Sequence, residues 1–161
     1  MSSPTPEQAD ALLEAAREAR ERAYAPYSGF HVGAAVLDDR GRVFAGANME
    51  NASYPLSVCA ERNAVATAAF QGARRLEAVA VTSSGERIAW PCGGCRQVLH
   101  EFGPDMVVIV EGPGGEREQR PLTELLPEAF GPSDLGVRSP SGQERSGSGR
   151  ATPPDPPDLG V

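Results

Sequence analysis

Val58-Cys59-Ala60-Glu61-Arg62 is the stretch on which the rest of the chain depends, and Pro91-Cys92-Gly93-Gly94-Cys95 follows it later in the sequence. Together they hold all three cysteines of the chain. Three thiolates can bind one zinc ion and leave its fourth position open, which distinguishes a catalytic zinc site from a structural one. The two stretches therefore predict a zinc site of three sulfurs, with Glu61 beside it.

Both groups of cysteines lie where a helix is predicted to begin. Cys59 precedes small and apolar residues at helical spacing over residues 60–71, and Cys92 and Cys95 open a second such segment over residues 93–102. The exposed N–H groups at the start of a helix favour anions, so thiolates form readily there. The predicted metal ligands thus come from the starts of two different helices.

Glu61 lies two residues after Cys59, where it can lean over the open position of the metal. There it can take a proton from a water molecule and return it to a leaving group. Hydrolytic loss of ammonia from an amidine-like carbon needs a metal-activated water and one such acid–base group. Because three thiolates carry more negative charge than a zinc ion neutralises, a nearby cation is also expected, and Arg62 and Arg96 are the candidates.

Other interpretations of the three cysteines remain open at this point. A structural zinc site, in an enzyme or in a zinc-stapled binding module, would need a fourth protein ligand, for which His31 and His100 are the candidates. A redox-active C-x-x-C motif would leave Cys59 without a role.

The remaining sequence alternates predicted helices and strands. A first helix begins with Thr5 as its cap, Pro6 in its first position and Gln8 completing a capping box, and it is predicted to end near Tyr24. Strands are predicted over residues 31–37, 42–47, 76–82, 106–111 and 116–120. Residues 121–130 are predicted to hold a short helix around Leu122, Leu125 and Leu126. This alternation predicts an α/β layered domain.

The composition limits the class of protein. The 161 residues are enough for one domain, predicted over residues 1–132, and the Pro/Gly/Ser-rich residues 133–161 are predicted to be disordered. A net charge of −7 argues against a nucleic-acid partner. The first residues show no signal peptide and no apolar run is long enough for a membrane span, so we expect a cytoplasmic protein without a membrane partner.

Several blocks of the sequence, in this order and spacing, resemble the cytidine deaminase superfamily, and in particular its small, homotetrameric, free-nucleoside cytidine deaminases. The resemblance extends over residues 7–135. Its blocks are Cys59-Ala60-Glu61, Pro91-Cys92-Gly93-Gly94-Cys95 and residues 25–30, 32–35, 48–54, 95–99 and 125–130. Gly94 stands where alanine is commoner in the family, and the segment after Leu135 is not part of the family core.

The resemblance implies a fold, a cofactor and an activity. The fold is a three-layer α/β/α domain around a five-stranded mixed sheet, assembled as a homotetramer. The cofactor is one zinc ion per subunit, and the substrate is a small nucleoside. The expected reaction is the hydrolytic deamination of free cytidine and 2′-deoxycytidine, at the C–N bond of a cyclic amidine, in pyrimidine salvage.

The resemblance also implies roles for individual residues. The metal ligands would be Cys59, Cys92 and Cys95, the catalytic acid–base group Glu61, and the residue that offsets the thiolate charge Arg62. The substrate-binding residues would be Asn48 and Glu50 on the ribose hydroxyls, Ala60 on the base edge through its backbone, Phe30 packed on the substrate, and Phe130 reaching the active site of a neighbouring subunit.

Two other deaminase activities are weighed against this one. A deaminase of a related substrate, such as a nucleoside antibiotic, is disfavoured by the ribose-binding pair Asn48 and Glu50. A deaminase of cytosine within a polynucleotide is disfavoured by the acidic net charge.

Overall fold

Residues 3–136 are described by the computed structural model, and they alternate helices and strands as predicted. The helices are α1 (Pro6–Arg20), α2 (Ala60–Phe70), α3 (Gly93–Phe102) and the short α4 (Leu122–Leu125). The strands are β1 (Val32–Asp38), β2 (Val43–Ala47), β3 (Leu76–Ser83), β4 (Val107–Glu111) and β5 (Arg117–Pro121).

The strands form one five-stranded mixed sheet in the order β2-β1-β3-β4-β5, as predicted. β3 and β4 pair in parallel, and the other neighbouring pairs are antiparallel. Since β1 is antiparallel to both of its neighbours, β2 and β3 run in the same direction. The carboxyl ends of β2 and β3 therefore lie at one edge of the sheet. The segments that lead from β2 to α2 and from β3 to α3 therefore start at the same edge.

Helices cover both faces of this sheet. Alternate side chains of β1 enter different cores, with Ala34 and Val36 on one face and Ala35 and Leu37 on the other. The first core contains Ala60, Ala64, Val65 and Ala68 of α2 and Leu99 of α3, and the second contains Leu12, Leu13 and Ala16 of α1. The predicted three-layer α/β/α architecture is confirmed.

The first helix begins as predicted but ends earlier. The Gln8 backbone N–H donates to the Thr5 hydroxyl at 3.2 Å, and the Thr5 N–H donates to the Gln8 side chain at 2.9 Å. α1 ends at Arg20, so the prediction of an end near Tyr24 is wrong. The Tyr24 N–H donates instead to the carbonyl oxygen of Asn48 at 3.0 Å, a long-range bond that a continuing helix would have prevented.

The short helix predicted within residues 121–130 forms at the start of that segment. α4 covers Leu122–Leu125, which include two of the three leucines around which it was predicted, and Leu126 is its C-cap. Pro127 lacks the N–H that a continuing helix needs, and Glu128 adopts a positive φ of 51°. The chain therefore leaves the helix after Leu125 and reaches Phe130 as an irregular segment.

Gly46 sets how closely α2 approaches the sheet. A Cβ atom at this position of β2 would lie 2.8 Å from the carbonyl oxygen of Ala60 and closer still to the backbone nitrogen of Ala64. Only glycine permits this approach of strand and helix backbones. Because α2 begins directly after Cys59, the position of the first sulfur depends on this contact.

Two predictions concern features at or beyond the ends of the described residues. Pro132–Leu135 form a 3-10 turn, at the start of the segment 133–161 that is predicted to be disordered. The rest of that segment, from residue 137 onward, lies outside the described residues. The boundary at residue 132 stays a prediction. Within residues 3–136, no helix has both the length and the apolar character that a membrane crossing requires.

Gly46→Ala is expected to lower the free energy of unfolding by about 2 kcal/mol, because the added methyl group must push α2 away from β2. Urea titration of the zinc-loaded protein, followed by circular dichroism, measures this change. Gly94→Ala is the matched control, since a Cβ atom at Gly94 meets no atom within 4 Å. In the first turn of α3 it should raise the stability by up to about 1 kcal/mol. Equal stability of the two variants would contradict the role given to Gly46.

Candidate active site

The structure brings the three cysteines together at the starts of two helices. Cys59 is the N-cap of α2, Cys92 is the N-cap of α3, and Cys95 is buried in the first turn of α3. The Sγ atoms of Cys59 and Cys92 are 4.0 Å apart, those of Cys92 and Cys95 are 3.5 Å apart, and all three lie within 4.8 Å of one another. Tetrahedral zinc with Zn–S bonds near 2.3 Å needs sulfur separations of about 3.8 Å, so this spacing fits the ion.

The electrostatics of the cluster favour one thiolate and oppose a second. A hydrogen bond from the Cys95 thiol, with a further contribution from the nearby Arg62 guanidinium, lowers the pKa of Cys59 to about 5. The same hydrogen bond and burial raise the pKa of Cys95, because its ionisation would place a second charge beside Cys59. A divalent cation bound between the sulfurs is what allows all three to lose their protons.

The metal-binding group contains three side chains. Among residues 3–136, the cysteines form a cluster with ligand spacing, and neither His31 nor His100 belongs to it. The fourth ligand that a structural zinc site requires is therefore not supplied by either histidine. The donor set is that of a site with one position open for chemistry.

Glu61, the second residue of α2, is buried beside the sulfurs with 5% of its surface exposed. Burial, followed by the negative charge of Cys59, raises the pKa of this carboxyl group. The Cys95 side chain forms a hydrogen bond with Glu61 that acts in the opposite direction, and the charge of Glu61 in turn contributes to the raised pKa of Cys95. A group placed in this way can hold a proton closer to neutral pH than an exposed carboxylate can.

The two arginines considered from the sequence differ in what they contact. Arg62 lowers the pKa of Cys59 through its charge and a hydrogen bond, and its Nη2 donates to the carbonyl oxygen of Ser57 at 3.1 Å. Arg96 donates to two backbone carbonyl groups and is not among the groups that shift the pKa of Cys59 or Cys95. Of the two candidates, Arg62 is the one whose charge acts on Cys59, whereas the side chain of Arg96 is directed to backbone carbonyl groups.

A cleft of about 420 Å³ opens beside the first sulfur. Its size is in the range of small-molecule pockets. Two residues predicted to bind substrate, Asn48 and Glu50, lie in its wall together with Cys59. The full lining is Tyr27, Ser28, Asn48, Met49, Glu50, Tyr54, Ser57, Val58 and Cys59.

Asn48 is held in one orientation by the start of β1. Its Oδ1 accepts from the Val32 N–H at 2.8 Å, and its Nδ2 donates to the Phe30 carbonyl oxygen at 2.8 Å. These bonds fix which end of the amide is the donor. The second hydrogen of Nδ2 is left to donate to a ligand.

Glu50 is held by the turn before β1. Its carboxylate accepts from the Tyr27 N–H at 2.9 Å, from the Ser28 N–H at 3.2 Å and from the Ser28 hydroxyl. The hydrogen bond from the Ser28 side chain, with the two backbone bonds, lowers the pKa of Glu50, so the group is charged at neutral pH. No local pattern in the sequence indicates Tyr27 and Ser28 as partners, because they lie more than twenty residues before Glu50.

The predicted aromatic contacts do not lie in the wall of this cleft. Phe30 is 41% exposed and Phe130 is 60% exposed, and neither lines the cleft of its own chain. Ala60 is buried at the first position of α2, next to Cys59. The structure therefore joins Asn48, Glu50 and the sulfurs, and leaves the two phenylalanines at the surface.

Comparison with known proteins agrees with this geometry. Residues 6–111 match the model of the cytidine and deoxycytidylate deaminase zinc-binding region. The chain belongs to the cytidine and deoxycytidylate deaminase family. The matched residues of this zinc-binding region include all three cysteines, so zinc, one ion per chain, is the cofactor of the site.

Individual relatives within the family are similar over most of their length. The cytidine deaminase of Halalkalibacterium halodurans is 46% identical over 125 residues, which are 77% of this chain and 95% of the relative. The crystal structure of a cytidine deaminase from Burkholderia pseudomallei has a TM-score of 0.72 at 47% identity, covering 75% of this chain and 98% of that one. The cytidine deaminase of Mycobacterium tuberculosis has a TM-score of 0.67 at 43% identity, covering 76% and 96%. The predicted fold of the family is confirmed.

Cys59→Ser is expected to weaken zinc binding by at least about 100-fold, because a hydroxyl group replaces the thiolate that forms most readily in the cluster. Competition with a chromophoric chelator measures the affinity, and elemental analysis measures the stoichiometry. The unsubstituted chain should bind one zinc ion. A serine variant that holds one zinc ion as tightly would contradict the assignment of Cys59.

Proposed function

We propose that this protein catalyses the zinc-dependent hydrolytic deamination of free cytidine and 2′-deoxycytidine to uridine and 2′-deoxyuridine, with release of ammonia. The observation that carries the proposal is the three-sulfur cluster, with Glu61 buried beside it and a cleft at Cys59 that contains Asn48 and Glu50. The similarity to cytidine deaminases over most of the domain supports the same substrate.

The chain's own residues would move the protons of this reaction. Bound zinc, held by Cys59, Cys92 and Cys95, supplies a Lewis acid that makes water nucleophilic near neutral pH. Glu61 takes a proton from the attacking water and delivers it to N3 of the pyrimidine. It then transfers the second proton of that water to the amino group as the C4–N bond breaks. One water is thus consumed and one ammonia is released.

The cleft residues would place the nucleoside for this transfer. Asn48, with a free amide hydrogen, and Glu50, with a charged carboxylate, would bind the ribose hydroxyl groups as donor and acceptor. The backbone of Ala60 would hold the edge of the base next to Glu61, and Phe30 would pack on the substrate. Arg62 would offset part of the thiolate charge.

The assembly we propose is a homotetramer in which Phe130 reaches the cleft of a neighbouring subunit. Its 60% exposure and its absence from the wall of its own cleft support this role. Other large apolar side chains are also exposed and would be covered by neighbouring subunits: Tyr54, Leu56 and Phe70. A free nucleoside substrate fits a cytoplasmic enzyme of pyrimidine salvage. Sedimentation equilibrium of the zinc-loaded protein tests the assembly.

Glu61→Gln is expected to lower kcat for cytidine by about 10³-fold while one zinc ion per chain is retained, because the amide cannot accept and return a proton. The fall in ultraviolet absorbance as cytidine becomes uridine measures turnover. Glu18→Gln, which removes an exposed carboxylate of α1, is the matched control and should leave kcat unchanged. Turnover that survives in Glu61→Gln would remove this residue from its proposed role.

Glu50→Gln is expected to raise KM for cytidine by about 10- to 100-fold, because a neutral amide replaces the charged acceptor of the ribose hydroxyl. Zinc content should stay at one ion per chain, since Glu50 is not a member of the sulfur cluster. Steady-state kinetics with cytidine and 2′-deoxycytidine provide the measurement. An unchanged KM for both nucleosides would exclude the proposed ribose contact.

A further inference from the structure

Arg96 connects two parts of the chain that lie far apart in the sequence. It follows Cys95 on α3, and its guanidinium group donates through Nε to the Pro91 carbonyl oxygen at 2.7 Å and through Nη1 to the Leu125 carbonyl oxygen at 2.7 Å. The planar guanidinium group fixes both acceptors at once. One side chain therefore holds the turn before the second sulfur and the end of α4.

The bond to Pro91 bears on the metal ligands. Pro91 is buried and directly precedes Cys92, the N-cap of α3. Proline has no backbone N–H, so its carbonyl group is its one backbone hydrogen-bonding group, and Arg96 occupies it. The direction in which the chain enters Cys92 thus depends on this bond.

The bond to Leu125 acts at the start of residues 125–130, the irregular segment that carries Phe130. Leu125 is the last residue of α4, where carbonyl groups have no partner within the helix. At the far end of the segment, the Nε2 atom of Gln97 donates to the Phe130 carbonyl oxygen at 2.8 Å. Two consecutive residues of α3 therefore hold both ends of residues 125–130.

We propose that Arg96 and Gln97 are positioning residues that couple the sulfur cluster to the presentation of Phe130. Arg96 fixes the approach to Cys92 and the start of the segment, and Gln97 fixes only its end. The inference rests on the proposed function, because Phe130 affects KM only if it contacts the substrate in a neighbouring subunit. The two residues are expected to have different effects on zinc and on substrate.

The variants to compare are Arg96→Met, Arg96→Lys and Gln97→Ala, all as full-length, zinc-loaded protein. Arg74→Met is the matched control, since Arg74 also donates to two backbone carbonyl groups, at 2.9 and 2.7 Å, but in the turn between α2 and β3. Zinc transfer to a chromophoric chelator is measured without substrate. KM and kcat are measured with cytidine, and thermal unfolding reports stability.

Arg96→Met should release zinc about 10-fold faster and raise KM several-fold, because both carbonyl groups lose their donor. The lysine ammonium in Arg96→Lys cannot reproduce the two separated donors of the planar guanidinium group. This variant should therefore restore either the zinc release rate or KM, and not both. Gln97→Ala should raise KM about 5-fold, as expected for the loss of one hydrogen bond, with kcat and zinc release unchanged. Arg74→Met should change neither zinc release nor KM.

Zinc release and KM at the values of the unsubstituted protein in Arg96→Met would overturn the proposal, and so would an unchanged KM in Gln97→Ala. If Arg96→Met does not fold, Arg96→Lys and Gln97→Ala decide the question alone. Failure of the proposed function is recognised separately, because the unsubstituted protein would then not deaminate cytidine. Zinc release from the Arg96 variants would still test the contact with Pro91.

Discussion

The site is governed by the repulsion that three thiolates would have at sulfur atoms held within 4.8 Å of one another. Two like charges 4 Å apart repel by about 4 kcal/mol at the effective dielectric constant near a protein surface. The protein reduces this cost by placing the sulfurs at the starts of α2 and α3, beside Arg62, and a divalent cation removes the remainder. Burial of Glu61 next to this charge then raises the pKa of its carboxyl group.

The sheet makes this convergence possible. β2 and β3 run in the same direction although they are not neighbours, because β1 lies between them and is antiparallel to both. The helices that follow them therefore begin at one edge, where ligands commonly bind in open α/β sheets. Gly46 brings α2 close to the sheet, and Arg96 fixes the entry to α3, so each sulfur-bearing helix has its own positioning contact.

Local patterns in the sequence predicted most of the fold, and long-range contacts account for what they missed. The bounds of α3 are as predicted, and the motifs that mark its start indicated the sulfur cluster. The end of α1 was predicted wrongly because the backbone of Tyr24 pairs with Asn48 and Glu50. The spacing indicated that Arg96 lies near the sulfurs. It could not indicate that the side chain donates to distant carbonyl groups, because those contacts arise from the tertiary fold.

The hydrogen bonds that hold Glu50 have a consequence for the energetics of ligand capture. Its carboxylate already has three donors from Tyr27 and Ser28, so its rotamer is set in the free protein. A ligand that docks against this carboxylate does not have to immobilise the side chain, and the entropic penalty falls on the ligand alone. Recognition at this wall of the cleft is accordingly closer to lock-and-key than to induced fit.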